Sequence, residues 1–284
     1  MNPSLTLQQA LLQAHHQGLE RIDAQMLLLH VLGKPDAGRA WLLTHDGDVL
    51  TSEQQAQFAA LCAQRLDGVP VAYLTGCKEF FGLALQVDAR VLDPRPDTET
   101  LVEWALDVVE NRVSPAIIDL GTGSGAIALA VQSQRPDAAV TAVDFSHDAL
   151  DVASANAQRL QLPVRLLQSS WLANVEGTFD VIVSNPPYIR EDDAHMPALR
   201  HEPRHALTSG AEGLDDIRAI IAQAPAHLKV GGWLLLEHGW DQAKAVQQLL
   251  REAGFTQVYS RQDLAGIERC TGGQIPLTAD KPIQ

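Results

Sequence analysis

Two short stretches hold residue types that can do chemistry together. In "IIDLGTGSGAIALA", Gly121, Gly123 and Gly125 separate an apolar, β-prone run from a helix-forming one. Glycines at a strand-to-helix turn permit a tight bend and let the backbone approach a ligand at the helix N-terminus. A nicotinamide-binding loop has a similar outline, but spaced Gly-x-Gly-x-x-Gly where this one reads Gly-x-Gly-x-Gly. Asp119, at the strand end before the loop, would repel a pyrophosphate and attract a sulfonium or ammonium cation. S-adenosylmethionine carries both. Asp144 lies nineteen residues past Gly125, at the end of the next β-prone run, where a carboxylate can accept hydrogen bonds from two ribose hydroxyls. As a helix cap it would duplicate Ser146.

The second stretch is "VIVSNPPYIR", residues 181–190. Pro186 and Pro187 have no N–H, so this loop offers mainly carbonyl oxygens and the side-chain oxygen of Asn185. Such a loop selects a group that only donates. The planar NH₂ of a carboxamide or of a base amine fits, and Tyr188 supplies a flat surface for it. An amide nitrogen is a poor nucleophile because its lone pair is delocalised. Two acceptors on its hydrogens would return density to nitrogen, and alignment with a sulfonium methyl can supply roughly 7–11 kcal/mol. Positioning, rather than a strong base, is the expected mechanism. At this level base and amide remain equally suited.

The two loops must leave neighbouring strands to share one ligand. From residue 93 onward the pattern alternates strand and helix: "AIIDL", "SGAIALAVQSQ", "AVTAVD", "HDALDVASANAQRL", "PVRLLQ", "FDVIVSN", a helix from about Leu214, "GGWLLLEHG" and a helix from Gln242. This predicts a doubly wound α/β sheet with its ligand at the carboxyl ends of the strands. Residues 1–75 instead read as short amphipathic helices. These close at Gly18, Gly33 and Gly68, and Thr51 or Ser52 is placed to cap the last, with Gln three residues on from each. Residues 76–92, punctuated by Gly76 and Gly82, predict a hairpin linker.

With 46% hydrophobic and 20% charged residues the chain is composed like a folded globular protein. No apolar run approaches the ~18 residues of a membrane helix, and the N-terminus lacks a signal-peptide pattern, which predicts a cytoplasmic protein. Cys62, Cys77 and Cys270 are scattered and suggest neither a disulfide framework nor a zinc knuckle. The net charge is −14, of which residues 1–90 carry −3. Phosphate neutralisation drives nucleic-acid binding, so this balance argues against it.

"DLGTGSG" with "SNPPYI" resembles the Rossmann-like, S-adenosylmethionine-dependent amino-methyltransferases. Adding "PRPDTETLVE", "HEPRHAL", "GAEGL" and "LLLEHG", the stretch from about Lys78 to Arg269 is similar to the protein-glutamine methyltransferases that modify peptide chain release factors. The helical N-terminal part resembles that family's too. The resemblance implies a Rossmann-like class I methyltransferase sheet over 93–284, preceded by a small all-helical, substrate-recognising domain and a β-hairpin connector. It implies S-adenosyl-L-methionine as cofactor and class I release factors as partners, methylated on the glutamine amide of their Gly-Gly-Gln loop. No direct nucleic acid or membrane contact is expected, and the chain is expected to be a monomer.

Position by position, the resemblance puts Gly121, Thr122, Gly123, Ser124 and Gly125 beside the methionine part of the cofactor, Asp144 on the ribose and Trp171 beside the adenine. Asn185 also touches the cofactor, and Asn185, Pro186, Pro187 and Tyr188 hold the glutamine amide, with Asn185, Pro186 and Tyr188 as the catalytic set. Arg95 to Glu99 lie near the cofactor. Ser170 stands where relatives often carry an acidic residue, and the ending "CTGGQIPLTADKPIQ" departs from the family, so its last strand is unassigned. A ribosomal-protein glutamine methyltransferase usually differs at "PRPDTE". An amino-methyltransferase of DNA or rRNA bases would suit the same acceptor loop and is disfavoured by charge.

Two motifs read as decoys. "HEPRH", residues 201–205, matches the zinc-protease pattern, but Pro203 interrupts the helix that would put both histidines on one face; a loop packing over the substrate pocket is expected there. "TGGQ", residues 271–274, repeats the tripeptide that the family methylates, and is expected as a chance match in an exposed tail, with self-methylation of Gln274 as the sharper reading.

Overall fold

The structure, a computed structural model, describes residues 5–277. The chain divides into two compact units, one of Met1–Cys77 with Ala198–His201, the other of Lys78–Pro197 with Glu202–Gln284. Among the described residues no helix is long and apolar enough to cross a membrane.

The first unit is helical: α1 (Leu7–His16), α2 (Arg21–Val31), α3 (Gly38–Thr44), α4 (Ser52–Leu66) and α5 (Val71–Thr75). Thr51, not Ser52, caps α4; its hydroxyl accepts from Gln54 N while the Gln54 side chain accepts from Thr51 N, a reciprocal capping box repeated by Thr6 and Gln9 on α1. Leu7, Leu27, Leu28 and Phe58 fill the core of this unit. The sequence pattern did not predict α3, which spans seven residues and buries only Leu42.

A hairpin follows, of β1 (Cys77–Phe80), which lies in the second unit from Lys78 on, and β2 (Leu83–Gln86), joined through Phe81 and Gly82. Both turn residues have positive φ, 49° and 76°, as a primed two-residue hairpin turn requires. There follow α6 (Glu99–Val108), β3 (Ala116–Leu120), α7 (Ala126–Gln134), β4 (Ala139–Asp144), α8 (His147–Leu160), β5 (Arg165–Gln168), β6 (Phe179–Ser184), α9 (Asp215–His227), β7 (Leu228–Glu237), α10 (Ala243–Glu252), β8 (Thr256–Gln262) and β9 (Glu268–Gln274).

The last seven strands form one sheet in the order β5-β4-β3-β6-β7-β9-β8. β5, β4, β3, β6 and β7 are parallel, and β9 runs antiparallel between β7 and β8. The expected α/β, Rossmann-like sheet is therefore present. Its central strands are buried on both faces, which explains why β6 reads as a continuous apolar run without alternation. The strand order reverses between β3 and β6, so a crevice opens at their carboxyl ends.

The "TGGQ" expectation is overturned. These residues belong to β9, inside the sheet, and Thr271 and Gln274 are buried. Their glycines are there for packing: a Cβ on Gly272 would lie 2.6 Å from Leu235 Cδ2 and 2.9 Å from the Trp104 ring, and one on Gly273 2.9 Å from Phe255 Cβ. Gln274 Nε2 donates to Gly231 O at 3.0 Å. A strand so enclosed does not present Gln274 for self-methylation. Of the ending, residues 278–284 lie outside the described residues.

Candidate active site

A cavity of about 220 Å³ lies at the carboxyl ends of β3, β4 and β6, walled by Gly121, Gly123, Asp144, Trp171, Asn185 and Pro187, with Phe145 and His205 also on it. Register creates the meeting. Leu120 pairs with Val143 on one side and Ser184 on the other, so Gly121, Asp144 and Asn185 are each the next residue along at the carboxyl ends of adjacent strands. Ser184 Oγ donates to Leu120 O at 2.7 Å and ties the two loops at their root.

The glycine loop is built by main chain. Gly121 N and Thr122 N both donate to Val143 O at 2.9 Å. Gly123 N donates to Asp144 Oδ2 at 2.9 Å and Ser146 N to Asp144 Oδ1 at 2.8 Å. Asp144 is thus fixed by two backbone donors and keeps lone pairs for a ligand. Gly123, at φ 55°, has no atom within 4 Å of where a Cβ would stand, so a ligand can approach its backbone closely. A Cβ on Gly121 would meet the Trp171 ring at 3.2 Å. Trp171 itself has φ 51°, a left-handed conformation that costs a bulky residue on the order of 1 kcal/mol and is held by its surroundings.

Thr122, Ser124 and Gly125 stand behind the cavity wall. Thr122 Oγ1 donates to Asp119 Oδ2 at 2.6 Å, and Ser124 O accepts from Asn156 Nδ2 at 2.9 Å. Asn156, buried on α8, also accepts from Gln86 N at 2.7 Å and donates to Gln86 O at 2.9 Å, joining the hairpin to the glycine loop. Asp119 lies beneath the loop instead of on the wall, followed by Leu120 at the strand end. It accepts from Ala128 N at 3.3 Å, one of the orphan donors of the first turn of α7. Its Oδ1 is buried with no partner, and burial pushes its carboxyl up to about 7, opposed by the Thr122 and Ala128 bonds.

The proline loop is held by side chains from distant segments. Asn185 Nδ2 donates to Thr98 Oγ1 at 3.2 Å, which leaves Asn185 Oδ1 as the free end of the amide. The Pro186 ring is buried, Pro187 is on the wall, and Tyr188 stands behind it with its hydroxyl donating to Glu237 Oε1 at 3.3 Å. Burial, and then the neighbouring Glu237 charge, raises the Tyr188 hydroxyl's pKa. Gln242 Nε2 reaches Tyr188 O at 3.1 Å and Glu212 O at 3.2 Å. Gly213 must be glycine here: at φ 71°, a Cβ would collide with the Tyr188 carbonyl. Glu237, Asn156 and Gln242 are the functional supports that sequence reasoning missed, and Thr98, within the Arg95 to Glu99 stretch expected near the cofactor, was not foreseen as the partner of Asn185. A polar residue at an apolar helix position or strand end was the available signal for Asn156 and Glu237.

In "HEPRH", Arg204–Ala206 form a single short turn after Pro203, which puts His205 and Ala206 on the cavity. Glu202 accepts from Arg95 Nη2 at 2.5 Å and from Asp93 N at 3.3 Å, so it fastens the "PRPD" segment. His201 groups with the first unit, its Nε2 3.0 Å from Asp67 O.

The donor set suits a nucleoside joined to a cationic chain. A fixed carboxylate, Asp144, faces the cavity beside aromatic Trp171 and Phe145, and an open glycine backbone leads to an acceptor-only loop. The unpartnered, buried Asp119 Oδ1 adds an uncompensated acceptor beneath that backbone.

Comparison with known proteins follows the same division. The Methyltransferase small domain family matches residues 98–214, and the PrmC N-terminal domain family matches residues 5–76. A release factor glutamine methyltransferase of Bordetella pertussis is 50% identical over 262 residues, covering 91% of this chain and 96% of the relative. One from Burkholderia pseudomallei is 49% identical, covering 91% and 93%, and one from Xylella fastidiosa 48%, covering 94% and 98%. Among solved structures, a methyltransferase from Pyrococcus furiosus has TM-score 0.52 at 22% identity over 75% of this chain and 97% of that one. A Thermus thermophilus 16S rRNA N2 G1207 methyltransferase, solved with AdoMet and guanosine, has TM-score 0.54 at 20% identity over 70% and 49%. At those identities the likeness is one of fold.

Proposed function

Because the chain belongs to the release factor glutamine methyltransferase family, we propose that it transfers a methyl group from S-adenosylmethionine to the side-chain amide nitrogen of the glutamine in the Gly-Gly-Gln loop of class I peptide chain release factors. The observation that carries this reading is the Asn185 amide: its N–H end is taken by Thr98, so an oxygen-only face beside two prolines looks onto the cavity. A carboxamide NH₂ is the group such a face binds.

When bound, S-adenosylmethionine supplies an electrophilic methyl on a sulfonium. Asp144 accepts from the ribose hydroxyls, Gly121 and Gly123 let the backbone close on the aminoacyl chain, and Trp171 with Phe145 flanks the adenine. Thr122, Ser124 and Gly125 shape the turn. Asn185 Oδ1 and the Pro186 carbonyl accept the two amide hydrogens, while Pro187 and Tyr188 limit the plane in which the amide can lie. Each transfer would break one S–CH₃ bond, whose electron pair stays on sulfur as a neutral thioether, form one N–C bond and release one N–H proton. That proton needs no strong base, since an amide nitrogen that has gained a methyl while keeping both hydrogens is cationic and strongly acidic. The helical first unit recognises the release factor outside the methylated loop, and the enzyme acts as a cytoplasmic monomer without direct nucleic-acid or membrane contact, in keeping with its net charge of −14.

The test offers tritiated cofactor to a release factor, to its Gln-to-Ala version, to ribosomes and to DNA. Label confined to the unaltered release factor is the expected result. Label in DNA, in a ribosomal protein, or persisting in the Gln-to-Ala protein would sink the reading.

A further inference from the structure

We propose, resting on the transfer to a side-chain amide argued above, that Gln242 is a positioning residue for that transfer, its side-chain amide clamping the proline loop to the segment 205–213 and so setting the gap that the substrate amide enters. The loop needs an outside clamp. With no N–H at Pro186 or Pro187, the stretch between Asn185 and Tyr188 cannot be pinned by main-chain donors of its own. It must be held at its two ends. Its entry is held by Asn185 Nδ2 on Thr98 Oγ1 at 3.2 Å and by Ser184 Oγ on Leu120 O at 2.7 Å. Gln242 holds its exit.

Gln242 immediately precedes α10 and is buried. Gly239 N donates to its Oε1 at 2.8 Å, and its Nε2 reaches Tyr188 O at 3.1 Å, Glu212 O at 3.2 Å and Gly213 O at 3.3 Å. The two ends of a carboxamide are almost the same size, but here chemistry orients it: the Gly239 N–H needs an acceptor and the three carbonyls need a donor. Glycine permits the approach on both sides. A Cβ on Gly213 would stand 2.8 Å from Gln242 Nε2, and one on Gly239 3.1 Å from its Oε1. The Gly239 peptide is fixed in turn. Its oxygen accepts from Gln242 N at 3.0 Å and lies 2.9 Å from His238 Nδ1, and since a carbonyl only accepts, that nitrogen carries the proton. His238 is buried, and its Nε2 is 2.7 Å from Thr271 Oγ1, which anchors the turn to β9.

The two segments that Gln242 joins both wall the cavity. Asn185 and Pro187 lead to Tyr188 on one, and His205 and Ala206 begin the other, which ends at Gly213. Beside the clamp they are paired by main chain, Ile189 N donating to Leu207 O at 2.9 Å and Ser209 N to Ile189 O at 3.0 Å. Removing the Gln242 amide takes the donor from Tyr188 O and leaves that short pairing to hold the exit. The Asn185 oxygen and the Pro186 carbonyl then lose their fixed distance from the opposite wall.

Gln242→Met keeps the length of the side chain and removes both ends of the clamp. Gln242→Glu keeps an oxygen for Gly239 N but sets a second oxygen against the three carbonyls. Only a protonated carboxyl can donate to one of them, and burial beside carbonyl oxygens holds that proton to higher pH than usual. The full chain would be assayed with tritiated S-adenosylmethionine and a purified release factor, with cofactor affinity measured by calorimetry and main-chain amides followed by hydrogen exchange. Gln242→Met is expected to lower kcat about a hundredfold, the cost of misplacing a reacting group by about 1 Å, with cofactor Kd unchanged. Exchange should quicken at the Ile189 and Ser209 N–H groups and not at those of Gly123 and Ser146. Gln242→Glu should be no better than Gln242→Met at about pH 8 and about tenfold better at about pH 6, where one donor has returned. Tyr188, Glu212, Glu237, His238 and the Asp241–Arg190 pair surround the site in both variants and cancel in that ratio.

If Gln242→Met turns over like the wild type, if its cofactor Kd falls away in step with kcat, or if the ratio of the two variants is flat across pH, the inference is wrong. Should either variant fail to fold in a thermal melt, the other, set against the wild type, decides it alone. A wild-type enzyme that does not label the release factor refutes the proposed function, and this inference with it; labelling that Gln242→Met leaves intact refutes only the clamp.

Discussion

The two halves of the cavity are assembled by opposite means. On the cofactor side the positions are fixed by main chain: Asp144 is gripped by the backbone N–H groups of Gly123 and Ser146, and Gly121 by Val143 O. On the acceptor side they are fixed by side chains, with Asn185 leaning on Thr98, Tyr188 on Glu237, and the Tyr188 carbonyl on Gln242. A main-chain cradle survives most substitutions of its members, because every residue but proline carries the same N–H. A side-chain relay fails when any link is removed. The acceptor half should therefore be brittle and the cofactor half tolerant.

The largest effect expected under this contrast is on Asn185→Ala. It removes the acceptor oxygen outright, and turnover should drop about a hundredfold to a thousandfold, as when one preorganised hydrogen-bonding group is taken from a transition state. Equilibrium dialysis with labelled cofactor should show affinity largely intact. A comparable loss of affinity would break the contrast, since the residue would then belong to the cofactor half.

A second effect concerns what the relay costs in stability. Burial raises the Glu237 carboxyl from 4.5 to about 7, with nearby Asp97 raising it further and Thr98, Tyr188 and Arg269 opposing. Between those values the unfolded chain has lost the proton and the folded one still holds it, so stability falls as pH rises through the window and stays lower above it. Glu237→Gln has no such proton. Relative to wild type its stability should rise by on the order of 3 kcal/mol from pH 4.5 to pH 8, read as denaturation midpoints across pH. Asp119, also raised to about 7, is present in both proteins and cancels in the difference. A flat difference across pH would mean that Glu237 is ionised throughout. A variant that is more stable and less active is the outcome that best supports a functional carboxylate in an unfavourable place.

The contrast also explains what was legible in the sequence. The cofactor half follows from contiguous letters: three glycines after a β-branched run, then Asp144 after the next, because main-chain geometry leaves its mark locally. The parallel strands and most helices were legible for the same reason. The acceptor half was legible only at Asn185 to Tyr188. Its supports come from residues 98, 237 and 242, and no local pattern links a threonine before a helix to a glutamate at the end of a strand. Asp119 was read as part of the wall because it adjoins the glycines, yet one further strand residue, Leu120, and the first turn of α7 claim it for the interior. "TGGQ" misled in the opposite direction. It follows the end of the family's motifs and contains two glycines, which suggests a loop, whereas Leu235, Trp104 and Phe255 crowd the strand so closely that glycine is what fits.

On the cofactor side, Asp144→Asn tests the carboxylate itself. The amide retains one acceptor oxygen but loses the charge and must put an NH₂ against a backbone donor. Charge-assisted bonds are worth about 1.5–3 kcal/mol, so cofactor Kd should weaken by about tenfold to a hundredfold while kcat at saturating cofactor changes little. Loss in kcat alone would place Asp144 in the reaction instead of the binding site.

The smallest effect is the sharpest test of the main-chain argument. Ser146 does two jobs with two different atoms: its hydroxyl accepts from Ala149 N at 3.3 Å as the cap of α8, and its backbone N–H holds Asp144 Oδ1 at 2.8 Å. Ser146→Ala removes the first and leaves the second. Stability should fall by about 1 kcal/mol, the usual cost of a lost N-cap, and cofactor affinity should not move. Thr98→Val, an equally conservative loss of one hydroxyl, is expected to abolish most turnover. The two variants differ in which atom the site depends on, main chain in one case and side chain in the other. If Ser146→Ala weakens cofactor binding as much as it lowers stability, Asp144 depends on the cap as a whole, and the cradle is no more robust than the relay beside it.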